Sequence, residues 1–245
     1  MNEHPTCIER RSGGRSLGAV IATVQVVDLG LAGALRAVAR PPKPTEVGGL
    51  RSAQVALFVP LAMSRLPSLG RAGLIAFWDD DDAADRFIAT DPIGRRLSGG
   101  LHARLQPLRA HGSWPGLPAE VPTSHDVAHD GPVVVATLGR LRISQTRRFL
   151  RTSRPAERTA SSHDGMIWGS AAARPPFVAT VSIWEDADAA QGYAYGSEQP
   201  AHRQAIAEQR RKDFHRESAF IRFAPTRLEG TLGGSNPLDA AAIAI

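Results

Sequence analysis

The chain has 245 residues, 42% of them hydrophobic, a formal charge of +5 and a single cysteine, Cys7. That is length enough for a sizeable core, and one cysteine excludes a disulfide framework and fits a reducing compartment. Nearly all the cations are arginines scattered along the chain, with lysine only at Lys43 and Lys212, so no basic face interleaved with aromatics points to nucleic acid.

The opening run MNEHPTCIERRSGGRS lacks the apolar centre of a secretory signal, and the expectation is a cytoplasmic location. Residues 1–16 are expected to form a flexible lead. The most apolar stretch, Leu17 to Ala39, is interrupted by Asp28, Gly30 and Gly33, and β-branched residues crowd its first half. It predicts a strand then a helix rather than a membrane span, which needs about 20 uninterrupted apolar residues. The Pro/Gly-rich RPPKPTEVGGL from Arg40 predicts a loop.

WDDDDAADRF begins at Trp78 and puts four carboxylates in a row, Asp79 to Asp82, which raises the question of a hard cation. WEDADAAQGY at Trp184 answers it. Both tryptophans end a strand-like run (LIAF, FVATVSI), and both are followed by a helical pattern, a proline (Pro92, Pro200) and a second helical stretch. Upstream, GAVIATVQVVDL resembles PVVVATLGRLRI, and the helices LAGALRAVA and TRRFLRTS follow. Downstream, HARLQPLRAHGSWPG parallels SAFIRFAPTRLEGTLGG.

The chain therefore reads as two copies of a β-α-β-β-α-β unit, the ferredoxin-like order, over 17–116 and 132–238. Residues 117–131 are a linker and 239–245 a tail. Asp80 and Asp186 each fall where a helix needs an N-cap, so the acids are expected to satisfy first-turn amides rather than a metal.

A strand ending in Trp, a short acidic cap and an Ala-rich helix resemble the dimeric α+β barrel superfamily. There two such units pair their sheets, and the fold class expected is α+β, with tandem ferredoxin-like repeats closing that barrel within one chain. The second copy is more specific. Ser182-Ile183-Trp184 with Asp186, then Pro200, His202, Ala205 and Ile206, then Phe214, Glu217, Arg222 and Phe223, then Gly230, Thr231, Gly234, Pro237 and Leu238 resemble the spheroidene monooxygenase family. The match runs from about Pro132 to Leu238. It is looser before that, although HGSWPG from His111 fits the first copy's exit.

This resemblance implies an oxygen-dependent oxidation that installs a keto group on a carotenoid or another hydrophobic molecule. It also implies haem as cofactor, an electron donor, and contact with a membrane that is peripheral. Pairing of two such chains into a homodimer is a further expectation. No C-x-x-C-H for covalent haem attachment, di-iron carboxylate pair or strand-linked G-x-G-x-x-G occurs. Two other readings fit the same residues: a cofactor-free oxygenase of the antibiotic-biosynthesis type, and a non-catalytic haem- or ligand-binding barrel.

His202 is the first candidate for an axial haem ligand, sharing a helical face with Ala205 and Ile206. A helix-surface or core histidine is the plainer alternative. His215 is the second candidate, read as a loop or helix-end residue ahead of AFIRF. Arg148 and Arg222 are candidates for the haem carboxylates, with Arg151 beside the former. Arg222 alternates with Ile221 and Phe223 and should occupy the opposite sheet face. Phe177, Phe214, Phe220 and Trp168 are candidate pocket aromatics, with ordinary core packing as the alternative. His125 and His129 read as linker residues, His163 as part of a turn, and His102 as half-exposed.

Overall fold

The computed structural model describes residues 20–61, 70–124, 128–161, 163–195, 213–234 and 236–237. The first half runs β1 (Ile21–Asp28), α1 (Gly30–Ala39), β2 (Leu50–Pro60), β3 (Arg71–Trp78), α2 (Asp81–Thr90), α3 (Pro92–Leu97) and β4 (Leu101–Gly112). The second runs β5 (Val133–Leu141), a 3-10 turn (Ile143–Gln145), α4 (Thr146–Ser161), β6 (Met166–Arg174), β7 (Phe177–Trp184), α5 (Ala187–Tyr195) and β8 (His215–Glu229).

Each half is an antiparallel sheet, ordered β4-β1-β3-β2 in the first and β8-β5-β7-β6 in the second. Edge strands left alone would expose unpaired backbone groups. Here the edges pair with each other, β2 with β6 and β4 with β8, and the eight strands close a barrel.

The two-residue side-chain period of a strand sorts residues between barrel interior and outer face. Val24, Phe58, Phe77, Leu105, Leu138, Phe177, Ile221 and Phe223 point inward and form one packed core. Aromatic pairs fill it, Phe77 with Phe223 at 6.4 Å and Trp114 with Phe177 at 5.7 Å between ring centres. The interior is thus a core, and Phe177 belongs to it, with Trp168 packed alongside.

Equivalent registers confirm the repeat. Ile21 sits opposite Trp78, and Val133 opposite Trp184. Each Trp is buried and its indole N–H finds an acceptor on the sheet: Trp78 donates to Thr23 Oγ1 at 2.9 Å and Trp184 to Ser182 Oγ at 2.8 Å.

The acids behave as the repeat requires. Asp80 Oδ1 accepts from Ala83 N at 2.7 Å, and Asp186 Oδ1 from Ala189 N at 2.7 Å. Asp79 pairs with Arg51 at 2.7 Å, while Asp81 (2.7 Å) and Asp85 hold Arg104. Among the described residues no group of three or more His, Cys, Asp or Glu is arranged for a metal ion.

Candidate functional site

The paired registers allow the outer faces of the two sheets to be compared position by position. In the first half, Gln25, Val27, Val55 and Leu74 are buried beneath the helices, with Ala34 and Ala37 of α1 packed among them. Strand pairing equates these four with Thr137, Gly139, Ala171 and Thr180 in the second half. Large side chains have become small ones at each of these positions. A cavity of about 450 Å³ results, bounded by β5, β6 and β7, the end of β2 and α4. Its floor is Thr137, Gly139, Ala171, Ala173, Val178 and Thr180, its roof Phe149, Leu150 and Ser153, and one side is Val59, Pro60 and Leu61.

His215 stands in its wall. The sequence reading put this residue in a loop at a helix end. It is instead the first residue of β8, paired with Leu141, because the strand's alternation begins directly after Phe214. The imidazole lies over Gly139, where a Cβ would stand 2.5 Å from Cδ2 and 2.8 Å from Nε2. Glycine at 139 is what lets the ring come this close to the sheet. The edges of Phe149 (5.4 Å) and Phe214 (6.3 Å) hold it in place. Burial lowers its pKa, with the charge of Asp213 opposing, so the ring is neutral near pH 7 and keeps one nitrogen lone pair. On the roof, Ser153 Oγ is buried with no hydrogen-bond partner among the described residues.

Arg148 lies with its guanidinium 4.4 Å from the centre of the buried Phe214 ring and donates to Gln145 Oε1 at 3.2 Å. It therefore sits beside the His215 wall, and Arg151 is exposed. Arg222 takes the outer face, opposite to Ile221 and Phe223 in the core, and is buried. Its pairing with Val135 makes it the counterpart of Arg104, which pairs with Thr23. The α2 acids that hold Arg104, Asp81 and Asp85, correspond to Ala187 and Gln191 on α5, so that clamp is not repeated.

His202 and His125 lie outside the described residues. His163 is built into the α5 packing, edge-on to Trp184 at 5.5 Å and Tyr193 at 6.0 Å, with Nδ1 accepting from Gly165 N. His129 meets the Pro132 carbonyl at 3.0 Å. Phe220 is 48% exposed on the outer face. Thr137, Gly139, Ala171, Thr180 and Ser153 went unnoticed in the sequence. The signal that finds them is the loss of side-chain volume between aligned copies.

A closed eight-stranded barrel of two ferredoxin-like halves, with a hollow on one outer face, defines a protein of the dimeric α+β barrel class. The solved structure of an aldoxime dehydratase in complex with butyraldoxime shares the fold, with a TM-score of 0.50, 10% identity, and coverage of 90% of this chain and 85% of that one. No protein-family model matches the chain.

By sequence the chain is similar to spheroidene monooxygenases. It is 32% identical to spheroidene monooxygenase of Rubrivivax gelatinosus over 174 residues, 69% of this chain and 65% of the relative. To the same enzyme of Cereibacter sphaeroides it is 28% identical over 179 residues, 69% of this chain and 53% of the relative. It thus spans between about half and two thirds of the length of these relatives.

Proposed function

We propose that the chain is a monooxygenase that uses O2 to oxidise a carotenoid or similarly apolar molecule at the hollow on the outer face of the second half. The observation that carries this reading is the hollow itself: apolar and small-residue walls, few polar atoms, and a neutral histidine at one side. The relationship to the spheroidene monooxygenases supports the reaction class.

Haem is the proposed cofactor. The walls suit it: a desolvated, neutral imidazole is the kind of donor an iron needs, and small residues leave room for a flat apolar ring. Bound there, haem would supply dioxygen activation. His215 is the candidate ligand within the described hollow, and His202 remains the candidate from the family match. Arg148 and Arg222 are the cations proposed for the haem carboxylates. Thr137, Thr180 and the unpartnered Ser153 Oγ provide the polar contacts that orient a ligand, and the aromatic and aliphatic walls exclude water.

Each turnover would break one substrate C–H bond and insert one oxygen atom of O2. The other oxygen leaves as water, with two electrons and two protons from an external donor. A second turnover at the same carbon gives a geminal diol, which loses water to leave the ketone.

The visible spectrum of protein purified after haem supplementation tests this. The expected result is an intense Soret band that is lost or shifted in His215→Ala or in His202→Ala, which identifies the ligand. A folded protein with no Soret band overturns the haem assignment. If it still oxidises substrate, the cofactor-free oxygenase takes its place, and binding without turnover leaves a carrier.

A further inference from the structure

Among the described residues five large hydrophobic side chains are exposed: Leu31, Leu35, Ile143, Leu150 and Phe220. Two of them, Ile143 at 78% and Leu150 at 45%, flank the hollow's helix. They are seven residues apart across the 3-10 turn and the start of α4, about two helical turns, and so lie on one face. Gln145, Arg148, Phe149 and Thr152 occupy the other face and turn toward the protein. The exposed face also carries Arg142, Arg147 and Arg151, and no carboxylate occurs between Leu141 and Pro155. Leu150 is both exposed and part of the cavity roof, so this face borders the mouth.

Apolar side chains set among arginines, without acids, complement a surface that is anionic at its plane and apolar just beneath it. Arginine stems lie along such a surface while their guanidinium groups stay at the phosphate level. We infer that the segment Ile143–Arg151 docks the protein on an anionic lipid bilayer, with Ile143 and Leu150 in the acyl boundary and Arg142, Arg147 and Arg151 on lipid phosphates. Docked this way, the mouth of the hollow faces the bilayer, and a lipid-dissolved substrate passes from acyl chains to cavity without crossing water. That use of the docking rests on the proposed function; the docking itself does not.

α1, the counterpart of α4 in the first half, supplies the control, since it exposes Leu31 and Leu35, neither of which lines the hollow. The test is co-sedimentation of the full chain with vesicles of phosphatidylcholine alone or mixed with phosphatidylglycerol, in the absence of substrate. The wild type should bind the mixed vesicles and not the neutral ones, and lose binding in high salt. Arg147→Gln with Arg151→Gln should weaken binding about thirty-fold, the loss of two surface arginines. Ile143→Asp should abolish it, while Leu31→Asp with Leu35→Asp leaves it intact.

Thermal melts check that the variants fold, as substitutions at these exposed positions should. Failure of the wild type to bind mixed vesicles, equal binding to both vesicle types, or a loss that follows Leu31 and Leu35 instead would each overturn the inference. Turnover of detergent-dispersed substrate is read separately. It reports on the proposed function whatever the vesicles show.

Discussion

Transplanting the Val55–Leu74 pair of the first half onto its counterpart, as Ala171→Val with Thr180→Leu, should stabilise the protein and weaken ligand binding together. Val55 and Leu74 are fully buried in their own sheet, while Ala171 and Thr180 border the cavity and are partly exposed. The change adds about three methylene equivalents, worth about 2.5 kcal/mol at full burial. Half-burial reduces this to about 1 kcal/mol, or a rise of about 2–4 °C in Tm for a chain of this size. The assay pairs a thermal melt followed by circular dichroism with a haem titration of the same preparation. A higher Tm with weakened binding is expected, the trade-off typical of a functional void. A Tm lowered by more than a degree or two would mean that the added atoms meet packed walls. Unchanged haem binding at raised Tm would move the ligand elsewhere.

Two further outcomes concern the helix caps and His102. Asp80→Ala and Asp186→Ala should each cost about 1 kcal/mol in urea unfolding, the usual loss of an N-cap; no loss in either would refute the capping account of the acidic runs. His102 has its pKa lowered by burial first, then by Arg104, with Arg227 acting the same way and Glu229 and Asp85 opposing. Above its ordinary value of 6.5 the ring is neutral whether the chain is folded or unfolded. As pH falls below that, the unfolded chain takes up the proton first, so stability is lost until the folded value is passed. The urea midpoint should therefore drop between pH 7.5 and 5.5 by less in His102→Gln than in the wild type, and equal drops would show that His102 does not carry this dependence.

The repeat was legible because its markers are local. A strand-ending Trp, an acid two residues on and paired alanines survive at Trp78 and Trp184, and the fold and both caps follow from them. Arg222 was assigned to the correct sheet face by alternation alone. Arg104, in the same alternation within HARLQP, carried the same information and was passed over. The hollow was not legible, because Thr137, Gly139, Ala171 and Thr180 come from three strands and become neighbours only once the registers are paired. His215 was misread for a related reason: nothing local marks where strand periodicity begins after Phe214. His202 lies outside the described residues, so its part rests on the sequence resemblance alone.

The two seams that close the ring differ in strength. β4 and β8 are matched from His102–Glu229 to Gly112–Ala219, whereas β2 and β6 meet only from Leu57–Ala173 to Pro60–Ser170. Parting the short seam breaks a handful of backbone hydrogen bonds and leaves both half-sheets whole, so it is the cheapest large opening available to the ring. Val59, Pro60, Ala171 and Ala172 belong at once to that seam and to the lining of the hollow. The barrel's shortest seam is thus also part of the hollow's lining, so parting it would widen the hollow while both half-sheets stay intact.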